Sequence, residues 1–327
     1  MYSEDTLPSI FVFTSSLNEY DLRLTVETAY KRAKIPGRVY FGVAEQVLGM
    51  PPTNLDDFKN VKKIQIGRNQ PNGLGLGRLA SLMLHESQTY GLQIDAHTIF
   101  DQHWDSTLVS QLTTLEQTYK RAVISMRAKT YTYQADGTRY FWDSPTAINF
   151  AGLKIDPGSQ NFGMGGREGD LGPHEPQDFH EHYLVAGGFI FARLQAFTEI
   201  LPDPKIAFSG EEHTWALRAS TRGWRIFATR DCPLWTLGKS SFFSDDDYKN
   251  DIDYKRTGVM PWKTMNTPTI TNGTAAIDFR DNVDNRGGYL NSILCGETLG
   301  YWGAPNIVAY EKYIKNLGFD YRTGCQI

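Results

Sequence analysis

"IFVFTSSLNEYDLRLTVETAYKRAKIPGRVYFGV", residues 10–43, carries the pattern that decides the architecture. Ile10 to Phe13 is an apolar, aromatic run that ends in Thr14-Ser15-Ser16, which predicts a buried strand opening into a polar loop. Apolar residues then recur at Leu22, Val26, Ala29 and Ala33, a helical spacing that Pro36-Gly37 closes. Arg38 to Val43 reads as the next strand. Strand, helix and strand in this order form a β-α-β unit. Such units build parallel sheets whose ligands sit at the carboxyl ends of the strands.

The same alternation continues outward. Val61 to Ile66 is a third strand, and Gly73-Leu-Gly-Leu-Gly77-Arg78 leads into a helix that runs to His85. Tyr90 to Ile94 is a fourth strand, Ser106 to Gln117 a helix and Arg121 to Ser125 a fifth strand. From Lys129 to His182 the periodicity gives way to Gly, Asp, Pro and aromatics, as expected of a long functional insertion. Order resumes with a strand from Val185 to Ala192 and a helix from Leu194 to Ile200. A helix over His213–Thr221, stopped by Gly223, and a strand from Arg225 to Ala228 follow. Ser240 to Asn285 is a polar, acidic excursion, and Tyr310 to Gly318 a terminal helix.

The 327 residues carry 33 basic and 37 acidic side chains, net −4, so no global positive field draws the chain to nucleic acid or membranes. The amino terminus is acidic where a signal peptide is basic, and no apolar run approaches the roughly 20 residues of a membrane span. The three cysteines lack paired spacing. Together these features predict a cytoplasmic protein.

Several stretches could carry chemistry. Gly73, Gly75 and Gly77 are spaced GxGxG, which is neither a dinucleotide fingerprint nor a P-loop. Arg78, just inside the helix, could meet a diphosphate or simply face solvent. His174, His180 and His182 lack a second ligand pair and read as a solvated loop edge. "YGLQIDAHTIFDQHWD", residues 90–105, differs, because an apolar strand ends in Asp95 and His97 follows two residues on. Carboxylate and imidazole on one turn suit manganese or another divalent ion, and the alternative is a turn that contains a histidine. Glu211 and Glu212 precede a helix; they either cap its dipole or aim a carboxylate at a sugar or reacting centre.

Taken in order, four segments resemble one family. They are residues 10–46, "YGLQIDAHTIFDQHWD", "AGGFIFARLQAFTEILPDPKIAFSGEEHTWALRASTRGWRIFA" and the closing "YEKYIKNLGFDY". Together they look like glycosyltransferase family 60, the cytoplasmic hydroxyproline N-acetylglucosaminyltransferases. The Leu-Gln-Ile-Asp-x-His and Gly-Glu-Glu-x-x-x-x-x-Arg blocks are the most specific parts. The resemblance implies a GT-A αβα sandwich with a Rossmann-like, mostly parallel sheet. Residues 1–239 would form the transferase domain, 129–182 its acceptor-side insertion, and 240–327 a C-terminal extension. It further implies a UDP-sugar donor, Mn2+ or Mg2+, and transfer with retention to a hydroxyl on a macromolecule. Asp95 and His97 fall on the metal motif, with Asp95 also near the ribose. Thr14 and Ser15 fall on the nucleobase loop, Arg78 beside the diphosphate, and Glu211 and Glu212 near the donor sugar.

One position departs from the family. A further metal-ligand histidine usually follows the strand that here begins at Arg225, but this chain has Cys232-Pro-Leu-Trp235-Thr-Leu and no histidine after His213. Asp231, the acids at 245–247, or diphosphate and water would then complete the coordination. Tyr140, Trp142, Arg167 and Trp235 are the acceptor candidates. The acceptor expected is a protein hydroxyl; a hydroxymethylated DNA base is the alternative, and a protein that binds sugar nucleotides without turnover is the third reading.

Overall fold

The structure is a computed structural model. It describes residues 8–17, 19–47, 51–66, 73–134, 137–142, 150–155, 162–167, 179–206, 210–229, 231–238, 287–322 and 325–327. The polar excursion at 240–285 and His174 lie outside these residues.

An eight-stranded sheet forms the centre, in the order β11-β13-β6-β12-β4-β1-β2-β3. Its members are β1 (Ile10–Leu17), β2 (Val39–Gln46), β3 (Val61–Gln65), β4 (Tyr90–Ile94), β6 (Ala122–Ser125), β11 (Phe179–His182), β12 (Phe189–Arg193) and β13 (Arg225–Thr229). β1 pairs in parallel with β2 and β4, as do β2 with β3 and β13 with β6. β12 runs antiparallel between β4 and β6, and β11 antiparallel at the edge.

Alternation along β1 sets the two layers. Ile10 and Val12 join the cluster under α1 (Leu22–Arg32) and α3 (Trp104–Glu116). Phe11 and Phe13 pack on the opposite face, where α2 (Leu74–Leu82), α4 (Leu194–Glu199) and α5 (Glu211–Thr221) contribute Leu82, Phe197 and Trp215. A helix layer on each face is the αβα sandwich expected from the sequence.

A second sheet, β5-β14-β7-β8, stands at the carboxyl end of β4. It consists of β5 (Thr98–Phe100), β7 (Lys129–Tyr133), β8 (Arg139–Trp142) and β14 (Leu234–Leu237). β9 (Phe150–Ile155) and β10 (Phe162–Arg167) form a separate hairpin. On the outer side of α5 lie α6 (Gly287–Leu294), α7 (Ile307–Leu317) and the short pair β15 (Phe319–Asp320) and β16 (Cys325–Gln326), which share a core of Leu290, Leu294, Tyr310, Tyr313 and Phe319 with Leu217.

Four expectations change. The described residues of the stretch 129–182 include five strands, two of them in the small sheet, where Tyr131 and Phe141 stand opposite each other across β7 and β8. Thr14 to Leu17 remain in β1, paired with Val43 to Gln46, since β2 extends alongside. The strand expected from Val185 begins only at Phe189; Val185 to Gly188 form a turn that the Ser125 hydroxyl holds by accepting from the Ala186 amide (2.9 Å) and donating to the Phe189 carbonyl (2.8 Å). His182 is buried on β11, not solvated; it donates from Nε2 to the Ser125 carbonyl (2.9 Å), and burial lowers its pKa to about 4.

The glycine series also finds its reason. Gly75 and Gly77 lie within α2, where a methyl group at 75 would meet the Asp203 and Ile206 carbonyls and one at 77 the Ser15 hydroxyl. They permit close packing of the helix on its neighbours and form no phosphate loop.

Candidate active site

The carboxyl end of β4 places Asp95, and the next residues turn sharply into β5. That turn is fastened to α1: the Thr25 hydroxyl donates to the Ala96 carbonyl and accepts from the Thr98 amide, both at 2.8 Å. The His97 carbonyl accepts from the Leu237 amide of β14 (3.1 Å) and the Tyr131 hydroxyl of β7 (3.2 Å). The backbone of the Asp-x-His turn is therefore held from three directions. Its two side chains stay reachable, with 33% of the Asp95 side chain and 18% of the His97 side chain exposed.

His97 Nε2 lies 3.8 Å from Asp95 Oδ2. Two ligands of one small divalent ion, each about 2.1 Å from it, sit at most about 4.2 Å apart, so these atoms can share a cation with little movement. Among the described residues no group of three His, Cys, Asp or Glu side chains is placed to hold a metal. The pair fits a two-ligand site that diphosphate and water oxygens would complete. Trp235 does not take the missing ligand's place. It is 9% exposed, donates from Nε1 to Asp101 (2.7 Å), lies beneath the Lys129 ammonium and packs edge-on against Phe141. The Asp231 carbonyl accepts from Gln111 (2.8 Å), and the acids at 245–247 lie outside the described residues.

Behind Asp95 is a buried guanidinium. Arg78 of α2, 3% exposed, donates to Asp95 Oδ1 (3.3 Å) and to Glu211 Oε1. Glu212 Oε1 accepts from the Gly187 amide (2.9 Å), and Gln93 donates to the Gly187 carbonyl (2.9 Å). Both glycines of the turn are needed. A Cβ at Gly187 would lie 2.5 Å from Arg78 Nη1, and one at Gly188 2.5 Å from Asp95 Oδ2. Three carboxylates thus surround one buried arginine. Burial raises the pKa of Glu211 to about 8 against the opposing pull of Arg78, with Glu212 and Asp95 pushing it further. Burial raises Glu212 as well, opposed by the Gly187 amide, Arg78 and Arg127.

Sequence-predicted residues meet here unequally. Asp95, His97, Arg78, Glu211 and Glu212, drawn from β4, α2 and α5, converge on one sheet edge. Thr14 is fully buried on the α1 side of β1. Ser15 faces α2, where Gln46 Nε2 approaches its hydroxyl at 3.4 Å. Tyr140 is exposed (47%) on β8, and Trp142 and Arg167 are described only as backbone in β8 and β10. Sequence reasoning missed Glu19, whose Oε1 is 3.1 Å from His97 Nδ1, and the supporting Thr25, Tyr131 and Gly187-Gly188. The GG pair after an apolar run was the one available signal among these.

This architecture, a mostly parallel sheet with an acid-histidine turn at its carboxyl edge, is that of a GT-A glycosyltransferase. The chain belongs to the family described as glycosyltransferase (GlcNAc), whose model matches residues 50–239, more than half of its length. No curated protein matches its sequence. Among solved structures it is similar to GalNAc-T7, crystallised with UDP, GalNAc and Mn2+. That match has 13% identity and a TM-score of 0.51, covering 97% of this chain and 55% of that one. The chain thus spans about half the length of that protein, and at this identity the likeness bears on fold alone. Staphylococcus aureus TarS 1–349 with UDP-GlcNAc superposes more loosely, at TM-score 0.44 and 13% identity over 94% of this chain and 81% of that one. No helix among the described residues is long and apolar enough to cross a membrane.

Proposed function

We propose that this glycosyltransferase moves GlcNAc or a related hexose from a UDP-sugar to a hydroxyl on a macromolecule, with retention, as a member of family 60 working in the cytoplasm. The convergence of Asp95, His97, Glu211 and Glu212 around Arg78 carries this reading. The GalNAc-T7 structure, with UDP and Mn2+, has the same fold and lends it support. Residues 1–239 act as the transferase domain, matching the end of the family match at 239, and the C-terminal extension packs on α5.

Asp95 and His97 hold Mn2+ or Mg2+, which supplies positive charge against the departing diphosphate. Arg78 acts on the diphosphate side from behind Asp95: by bridging Asp95 and Glu211 it fixes the spacing between the metal-side and sugar-side acids. Glu212, anchored by the Gly187 amide, orients the donor sugar, and Glu211, joined to Arg78, hydrogen-bonds the sugar beside it. Thr14 and Ser15 support the nucleoside end from within β1 by packing, and the acceptor enters over the small sheet, past Tyr140.

Release of UDP from a panel of UDP-sugars, with and without Mn2+, tests the reading. Turnover with at least one donor, and its loss on chelation, is expected; no turnover with any donor would overturn it. Offering a hydroxyprolyl peptide alongside hydroxymethylated DNA identifies the acceptor, with the peptide expected to be modified.

A further inference from the structure

Glu19 lies in the connection between β1 and α1, and its carboxylate faces the ring edge of His97 opposite Asp95. Glu19 Oε1 is 3.1 Å from Nδ1, while Nε2 is 3.8 Å from Asp95 Oδ2. Both side chains are mostly shielded, 17% and 18% exposed. Asp21, two residues on, is buried and accepts from the Tyr131 hydroxyl (2.8 Å) and the Tyr133 hydroxyl (2.6 Å). Tyr131 also reaches the His97 carbonyl, and Thr25 bonds both sides of Ala96, so hydrogen bonds tie the segments carrying Glu19 and His97 to a common set of side chains.

An imidazole can ligate a cation through only one nitrogen in a given pose, and the tautomer decides which lone pair is free. From this geometry we infer that Glu19 is a positioning residue for His97. It accepts the Nδ1 proton and so presents the Nε2 lone pair to the position shared with Asp95. The inference rests on the reading of Asp95 and His97 as metal ligands. The approach is at ion-pair distance without linear donor alignment, as is common in active sites before their ligand binds. A carboxylate behind a ligating histidine also raises its basicity, and removing such a partner lowers metal affinity by about 10–100-fold.

The test uses the full chain stripped of metal. Mn2+ binding is followed by electron paramagnetic resonance in the presence of UDP, and the His97 tautomer by 15N-detected imidazole NMR. Glu19→Ala is expected to weaken Mn2+ binding about 10–100-fold and to move the His97 proton off Nδ1 in part of the population. Glu19→Gln keeps an oxygen acceptor and is expected to retain the Nδ1–H tautomer and most of the affinity. Should Glu19→Ala not fold, Glu19→Asp, which withdraws the carboxylate by one methylene, takes its place with the same expectation. Unchanged affinity and tautomer in Glu19→Ala would overturn the inference. So would an equal loss in Glu19→Gln, which would make charge, not orientation, the cause. Asp95→Ala and His97→Ala separate the two levels: if neither weakens Mn2+ binding, the metal reading itself fails, whereas a loss in both with none in Glu19→Ala removes Glu19 alone.

Discussion

Gly188→Ala isolates the geometry of the proposed metal acid from its chemistry. Gly188 does not have the left-handed backbone conformation that would itself disfavour alanine, so the added methyl acts by volume alone. Its Cβ would stand 2.5 Å from Asp95 Oδ2 and 3.0 Å from Cγ, whereas ordinary contact begins near 3.4 Å. Something must therefore retreat by about 1 Å. The turn is pinned by the Ser125 hydroxyl, by Gln93 on the Gly187 carbonyl and by Glu212 on the Gly187 amide. Among the described residues the Asp95 carboxylate has looser contacts, 3.3 Å to Arg78 and 3.8 Å to His97, so the carboxylate is the part that moves. A displacement of about 1 Å in a catalytic constellation costs on the order of 100-fold in rate, and overpacking costs about 1–3 kcal/mol in stability. Initial rates of UDP release should show kcat/KM lowered about 100-fold. Gly37→Ala is the control: no atom lies within 4 Å of its Cβ, and both rate and Tm should match the parent. A folded Gly188→Ala protein with the parent's kcat/KM would refute the claim that Asp95 must stand where it does.

Three further outcomes are expected. Arg78→Lys keeps the charge but not the fork that spans Asp95 and Glu211, so kcat should drop at least about 10-fold in the same assay, with a lower Tm; parental kcat would remove Arg78 from the proposed site. His182 and His213 are both held near pKa 4 by burial, below the ordinary 6.5. Between these values the unfolded chain binds protons that the folded protein does not. Stability is therefore full above pH 6.5 and falls on acidification toward pH 4, by about 3 kcal/mol per histidine. Urea denaturation at stepped pH should show this slope reduced in His213→Gln, and an unchanged slope would contradict it. Asp105, fully buried, accepts from Arg38 Nε (3.0 Å) and from the amides of Lys34 (2.7 Å) and Ile35 (3.1 Å). Asp105→Ala should cost about 3–5 kcal/mol by chemical denaturation, because it strands a buried guanidinium; a loss below about 1 kcal/mol would count against that pairing.

The sequence by itself determined the layered architecture. The β-α-β spacing over 10–43 and the apolar runs at Tyr90–Ile94 and Ala122–Ser125 depend on local periodicity, which a chain carries wherever it folds. Asp95 and His97 were legible as candidates for the same reason, since both sit within three residues on one strand end. Tertiary structure alone decided the rest. Arg78 and Glu211 are 133 residues apart, and only the packing of α2 and α5 on one sheet face makes them partners. Glu19 gave no sign of facing His97, because β4 must first lie beside β1 for their carboxyl ends to meet. The spacing of Gly75 and Gly77 matched no phosphate-binding motif, and its reason is visible only where Asp203, Ile206 and Ser15 stand against them. Trp235 occupied the expected ligand position in the sequence, but the pairing of β14 with β5 and β7 turned it into a contact for Asp101, Lys129 and Phe141. Local periodicity specifies which backbone forms each element. Which side chains then meet depends on contacts between distant segments, and those exist only in the folded chain.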